Sequence, residues 1–282
     1  MVASILNGLS LGALLFVLAS GFTLALGLTR VVNIAHGAFY VLGVHLAMTV
    51  VDQTGSYLLG FAVAALTVMA LAAVVQRAFL RRFYLSPLPQ VLFTMGLTLV
   101  LVEIARHIWG SRPRTMAAPE LLAGSVEVLG TTFPRYRLFL IVAALVLALL
   151  LWLFMERSRT GILVRASIDD EEMARTVGID VERLFTRVFA LVGLLAGMGG
   201  VLGAPFLGFY GNAHFEMLTY TLVVVVFGGV GSLGGALLGS MIVGLIDSVG
   251  TVWFPELAYF LLFGPMVIML AIRPTGLFGR EF

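Results

Sequence analysis

Cysteine and lysine are both missing from this 282-residue chain, whose 17 basic residues are all arginine, and each absence removes a class of chemistry. Without cysteine there is no disulfide, no thiolate nucleophile and no Cys-ligated metal. Without lysine a Walker A phosphate loop, which needs Gly-x-x-x-x-Gly-Lys-Ser/Thr, cannot be built, so any ATP that drives this protein is bound by a separate subunit. Charge of either sign is scarce, at 11% of residues. The four histidines, His36, His45, His107 and His214, lack metal-ligand spacing such as His-Glu-x-x-His. Ser232 with His36 or His214 is the one nucleophile and base pair worth naming, and the Gly-x-Ser-x-Gly pattern fails because position 230 is Val. No catalytic residue and no metal site is therefore expected. No basic residue precedes Arg30 and the first apolar run is too long for a cleaved signal peptide.

What is abundant is apolar surface. The chain is 60% hydrophobic with a mean hydropathy of +1.07, and several uncharged runs approach the roughly 20 residues that span a bilayer. These features predict an all-α integral membrane protein, a polytopic helix bundle forming one domain over 1–282 in contact with lipid. The net charge of +2 and pI near 9.2 reflect arginines placed by topology and do not describe a nucleic-acid surface. Spans are expected at 5–29, 31–51, 57–75, 91–108, 138–155 and 188–210, with a last one at 253–272. Between the last two, residues 217–250 carry no arginine and only Asp247 as a charge. As one helix they would extend about 51 Å, against a hydrocarbon thickness of about 30 Å. They are expected to cross twice, breaking at the glycine-rich stretch 228–235. With that break, 12 arginines fall on one side and five on the other, which places the N-terminus outside and the C-terminus inside. Broken or half-length helices bring the expected number of transmembrane elements to about 8–10.

Two polar segments interrupt the apolar pattern. Residues 156–187 hold six of the 17 arginines and seven of the 15 acidic residues, so they lie in water, on the cytoplasmic side. Asp169 and Asp170 can cap a short helix over 169–178, Gly178 can close it, and Asp180 can open the next helix; a solvated loop is the alternative. In the helical reading Met173 and Ala174 offer an apolar contact and Glu171, Glu172 and Arg175 set orientation by charge. Residues 110–137 form the opposite polar segment, with a hairpin expected near 125–132. There Arg112, Arg114, Arg135 and Arg137 are candidates for docking an acidic partner surface, or simply for headgroup contact or solvation.

Small residues recur at four-residue spacing, as Gly193 and Gly197, Gly199 and Gly203, and Gly231, Gly235 and Gly239, followed by Ser240 and Gly244. The spacing suits close helix packing within the chain, a subunit interface, or both. Asn33 reads either as a helix N-cap or, with His36, as a polar group on a translocation path, for which Gly231 and Ser232 are further candidates. Glu103 stands three residues before Arg106, which suits a local ion pair.

Several motifs in fixed order resemble a known family. They are Gly27-Leu28-Thr29 with Val32-Asn33-Ile34-Ala35-His36-Gly37, Arg165-Ala166 through Glu172-Met173-Ala174-Arg175, and Gly178-Ile179-Asp180-Val181. They continue with Ala196-Gly197, Gly200-Val201-Leu202, Phe227-Gly228-Gly229, Gly231-Ser232-Leu233-Gly234-Gly235-Ala236 and Arg273-Pro274-Thr275-Gly276-Leu277-Phe278-Gly279. Together they resemble the permease subunits of bacterial ABC importers for branched-chain amino acids, of the LivH type. The resemblance implies the ABC importer permease fold and a multi-pass protein of the bacterial inner membrane. It also implies a LivM-type permease partner, two cytoplasmic ATPase subunits that hold ATP and Mg, and a periplasmic substrate-binding protein. Asp170, Glu171, Glu172, Met173, Ala174, Arg175 and Gly178 then correspond to the segment that couples permease to ATPase. Related permeases carry urea or short amides, and an ion-coupled secondary transporter is the remaining alternative, disfavoured by the few intramembrane carboxylates.

Overall fold

A computed structural model describes residues 1–279 apart from Arg30, Tyr84, Leu85 and Leu129; the side chains of Leu28, Asp169, Ala258 and Tyr259 are also outside the description. Arg30 and Arg280, both used in the arginine count, thus lie outside the described residues. In chain order the helices are α1 (Val2–Thr29), α2 (His36–Thr54), α3 (Tyr57–Ala78), α4 (Pro87–Trp109), α5 (Arg135–Arg157), α6 (Arg159–Asp169), α7 (Glu171–Thr176), α8 (Val181–Leu207), α9 (Ala213–Gly228), α10 (Leu233–Trp253) and α11 (Ala258–Ile272). Between α4 and α5 a hairpin pairs β1 (Ser125–Val128) antiparallel with β2 (Thr131–Pro134), as expected from the sequence.

Among the described residues six helices, α1, α3, α4, α5, α8 and α10, are long and apolar enough to cross a membrane. Their burial separates centre from rim. The apolar window of α1 is 83% buried and that of α8 72%, against 28% for α4 and 22% for α5. The outward faces of α4 and α5 carry Leu92, Met95, Leu99, Leu145, Leu149 and Trp152, a surface that only lipid or another apolar chain satisfies.

Glycines determine how closely the central helices approach. A Cβ on Gly12 of α1 would lie 2.8 Å from the Ser240 carbonyl of α10, and one on Gly43 of α2 would lie 2.7 Å from the Gly197 carbonyl of α8. Gly193 and Gly197 face α3, Gly199 faces Leu18 of α1, Gly203 faces Tyr40 of α2, and Gly244 faces Gly8 and Gly12. The small-residue stripes of the sequence thus serve packing within this chain. Lipid tails are as apolar as leucine, so these dispersion contacts between backbones supply what hydrophobic burial supplies in water.

Pairings across the bundle define two poles. At the hairpin pole Arg114 meets Asp52 at 2.6 Å and pairs through its backbone with Phe209, Arg137 bonds Asn7, and Ser248 Oγ donates to the Ser4 carbonyl. At the other, arginine-rich pole, Arg81 pairs with Glu182 at 3.2 Å, and the amides of Leu277 and Phe278 donate to the carbonyls of Phe227 and Gly228.

The second and last spans differ from the sequence reading. The second helix begins at His36, five residues later than expected, because residues 31–35 are not helical. There the Ile34 N–H donates to Thr94 Oγ1, which itself lies 3.2 Å from the Val32 carbonyl. Thr94 is the eighth residue of α4, so this irregular backbone sits about 10 Å along that helix. It is tolerated at such depth because protein surrounds it and supplies the hydrogen bonds. The run 217–250 breaks where expected, between α9 and α10, with Gly229 and Gly231 in the left-handed region. The last span is shorter than 253–272: α10 runs on through Trp253, Pro255 interrupts, and α11 has 15 residues. Proline lacks the N–H and restricts the residue before it. At 16 and 15 residues, α9 and α11 are about 24 and 22 Å long, half-length elements in a bilayer about 30 Å thick.

Thr132 on the hairpin and Thr176 on α7 are exposed at opposite poles. Cysteines placed there in this cysteine-free chain are expected to react with a membrane-impermeant maleimide from opposite sides of sealed vesicles. Labelling of both from one side contradicts the two-pole arrangement.

Candidate functional site

The arginine-rich pole is built as a chain of short, well-terminated helices. Ser158 Oγ accepts from the Gly161 N–H and starts α6, a helix the sequence reading did not separate. Gly161, Val164 and Ser167 are its buried positions, so an inward face at helical spacing was there to be read. Arg165 fastens the α5–α6 turn, bonding the Met155 carbonyl and lying 3.4 Å from Glu156. Asp169 is the last residue of α6 and not a cap of the next helix, so the short helix is Glu171–Thr176 and not 169–178. Asp170 occupies its N-cap position, its Oδ1 accepting from the Met173 N–H at 2.8 Å, and the Asp169 side chain lies outside the described residues. Glu171 and Glu172 occupy the first turn and Arg175 pairs with Glu171 at 3.0 Å.

Gly178, at φ +87°, ends the helix. The Ile179 N–H reaches back to the Ala174 carbonyl and the Gly178 N–H to the Arg175 carbonyl, the paired bonds of a Schellman stop. Ile179 and Ala174 then pack with Val181 and Phe185 of α8. Asp180 caps α8 by accepting from the Arg183 N–H. Cap, helix, stop and cap therefore form one unit joined to a membrane-spanning helix. Ala174 is buried against α8, so its side chain does not offer the outward apolar contact expected of it. Met173 and Val177 do, being 58% and 68% exposed on a segment that lies in water.

At the hairpin pole the four arginines divide in two. Arg114 is held by Asp52 and by the backbone bridge to Phe209, while Arg137 bonds Asn7 and lies 5.0 Å from the centre of the Phe206 ring. Arg112 and Arg135 are exposed, and among the described residues neither has an ion-pair partner. Glu103 pairs with Arg106 at 3.0 Å, as its spacing suggests.

Of the four path candidates, two are walled into this chain. His36 donates its Nε2–H to the Leu18 carbonyl, 3.0 Å away, and meets the Phe22 ring edge-on. Asn33 is 1% exposed and does not cap α2, whose preceding residue is Ala35. Ser232 caps α10 through the Gly235 N–H, and Gly231 faces Gly27 at the arginine-rich pole. Asn33 and His36, two of the translocation-path candidates, are thus enclosed by this chain.

The polar groups that do open to the surface flank α9. A cavity of about 520 Å³ between α9, α10 and α11 is lined by Glu216, Tyr220, Asp247 and Thr251 with Phe215 and Phe263. Tyr220 donates to Asp247 at 2.7 Å. Carboxylates on an outward membrane face are costly against lipid and belong beside water or another subunit. Glu216 and Asp247 are the only acids in 213–250, and that rarity was the sequence signal for this face. A smaller cavity, about 190 Å³, lies on the other side of the α9 start, lined by His45, Arg106, Asn212 and His214. Asn212 lines both cavities.

Buried, glycine-packed helices with a carboxylate-bearing outward face and a helix–stop–helix unit at one pole define a multi-pass helical membrane protein. No solved structure matches this chain. The sequence model of the family described as branched-chain amino acid transport system / permease component matches residues 4–270, and the chain belongs to that family. It is 27% identical to the high-affinity branched-chain amino acid transport system permease protein LivH of Salmonella typhimurium, over 97% of this chain and 94% of that protein. It is 26% identical to the BraD permease protein of the corresponding system of Pseudomonas aeruginosa, over 98% of this chain and 95% of that one. A shorter match, 30% identical over 39% of this chain and 26% of the other, is to the LivM permease protein of Escherichia coli.

Gly178→Val places a β-branched residue at φ +87°, a conformation costing it about 1–2 kcal/mol. The expected outcome is faster hydrogen exchange at the Gly178 and Ile179 amides with unchanged protection in α8. Unchanged exchange at both amides contradicts the stop.

Proposed function

We propose that this chain is one of two permease subunits of an ATP-driven importer in a bacterial inner membrane, forming with a LivM-type partner the path for branched-chain amino acids. Membership of the permease family supports the transport role, and the names of its full-length relatives support the substrate. The hairpin pole, with five of the 17 arginines, faces outward, and the arginine-rich pole faces the cytoplasm. In the labelling experiment above, residue 132 therefore reacts from outside.

The observation that carries the mechanism is the capped α7 unit. It presents Met173 and Val177 to solvent from a rigid base formed by Ala174, Ile179, Val181 and Phe185. An apolar helix face of this kind suits a groove on a cytoplasmic ATPase subunit, where ATP and Mg are bound, because this chain has no lysine for a phosphate loop. Asp170, Glu171, Glu172 and Arg175 orient the helix and Gly178 passes force directly to α8. Closure of the ATPase dimer thereby moves the bundle and alternates the access of the face lined by Glu216, Tyr220 and Asp247. A periplasmic binding protein supplies the ligand at the hairpin pole.

Reconstitution with the partner permease, ATPase subunits and binding protein is expected to give leucine uptake that requires ATP. Met173→Asp with Val177→Asp removes two exposed apolar contacts, each worth about 1.5–3 kcal/mol when fully buried. Uptake and ATPase co-purification are expected to fall about tenfold or more. Uptake that persists without ATP and follows an ion gradient overturns the proposal.

Arg112 and Arg135 are the free cations for docking acidic groups of the binding protein. Neutralising both is expected to weaken its affinity and flatten the dependence of that affinity on salt, measured by surface plasmon resonance. Identical affinity and salt dependence in the variant removes docking from these two residues.

A further inference from the structure

His45 of α2 has a setting that packing alone does not explain. It is 1% exposed, stacked at 4.9 Å on Trp109 and at 4.2 Å from the Phe209 ring, yet neither ring nitrogen has a hydrogen-bond partner. Leaving a buried polar atom unpaired costs about 1–3 kcal/mol, and such an atom calls for a ligand or water. His45 lines the smaller cavity at the start of α9 together with Arg106, Asn212 and His214. Among the described residues Arg106 makes one side-chain hydrogen bond, from Nη1 to Glu103, out of five N–H donors. No carboxylate among the described residues lines this cavity, and the positive end of the α9 dipole is beside it. Donors outnumber acceptors, which is the chemistry that receives a carboxylate.

We propose that this cavity is a carboxylate-binding site on the outer half of the path, and that it receives the α-carboxylate of the translocated amino acid. The substrate class rests on the function proposed above; the site itself rests on the cavity. At about 190 Å³ it is below the roughly 300–1,000 Å³ of pockets for drug-sized ligands, so it suits one small zwitterion or its head group. Arg106 supplies the charge, His45 and Asn212 supply hydrogen bonds, and Trp109 and Phe209 hold the imidazole in place. Because Asn212 also lines the cavity containing Glu216 and Asp247, a ligand held here is adjacent to the outward face between α9 and α11.

The test uses the complete transporter in nanodiscs, without nucleotide or binding protein, and radiolabelled leucine as the probe. Leucine and 4-methylvalerate, which keeps the carboxylate and lacks the ammonium, are expected to compete with the label. Leucinamide, which has no carboxylate, is expected not to. Arg106→Gln is expected to weaken leucine binding about tenfold, the loss of a charged hydrogen bond. His45→Phe, which keeps the ring stack, is expected to weaken it by a smaller factor, and Glu103→Gln, which removes the carboxylate that competes for Arg106, to strengthen it. Absence of leucine binding by the native transporter, equal competition by leucinamide, or unchanged binding in Arg106→Gln overturns the site. A parallel loss of affinity for ligand-free binding protein in Arg106→Gln also overturns it, by assigning the cavity to docking. ATP-dependent uptake by the native transporter is measured separately, so failure of the transport reading is seen apart from failure of the site.

Discussion

Close approach of backbones is what the rest of this molecule depends on. In hydrocarbon there is no hydrophobic gain from pressing two helices together, so association comes from dispersion between well-fitted surfaces. Glycines on α1, α2, α8 and α10 bring main chains close together; at Gly12 and Gly43 a Cβ would sit 2.7–2.8 Å from a facing carbonyl. The buried centre formed in this way can hold features that lipid would not tolerate. Irregular backbone at 31–35, the unpaired side chain of Asn33 and the imidazoles of His36 and His45 all lie within it. The outer helices α4 and α5 need no such fit and present leucine, valine and tryptophan instead.

From this rigid centre the two poles do different work. At the arginine-rich pole three local hydrogen-bond devices, the Asp170 cap, the Gly178 stop and the Asp180 cap, make a six-residue helix behave as a projection of α8. Its stability comes from tertiary packing through Ala174, since a helix of that length does not persist alone in water. At the hairpin pole Asp52, Arg114 and the Phe209 backbone tie the polar segment to the connection between α8 and α9. That connection carries Asn212, which lines both cavities. A displacement of α8 relative to the hairpin thus bears directly on the polar groups that open to the surface.

Much of the molecule was legible in advance. Helical spans follow from runs of apolar residues, and the break near 228–235 followed from a length that no bilayer accommodates as one helix. The hairpin, the Glu103–Arg106 pair, the Gly178 stop and the Asp180 cap are set by residues within a few positions of one another. The permease family is carried by motifs that run the length of the chain. The α2 start was misplaced because residues 31–35 are as apolar as a helix would be; their unwinding is stabilised by Thr94, about sixty residues away in sequence.

Sequence alone determined what depends on local chemistry: that the chain crosses a membrane, which segments lie in water, where helices are capped, and that a lysine-bearing phosphate loop is absent. The tertiary structure decided which of those polar residues are available. It enclosed Asn33 and His36, turned Ala174 inward and left Met173 and Val177 outside. It also paired Arg114 and Arg137 while leaving Arg112 and Arg135 free. It gathered His45, Arg106 and Asn212 from α2, α4 and the α9 start around one cavity. The reason is physical: caps and spans are fixed by bonds between neighbours in the chain, whereas exposure and pairing are fixed by which helix faces meet, and that is settled by packing across the whole bundle.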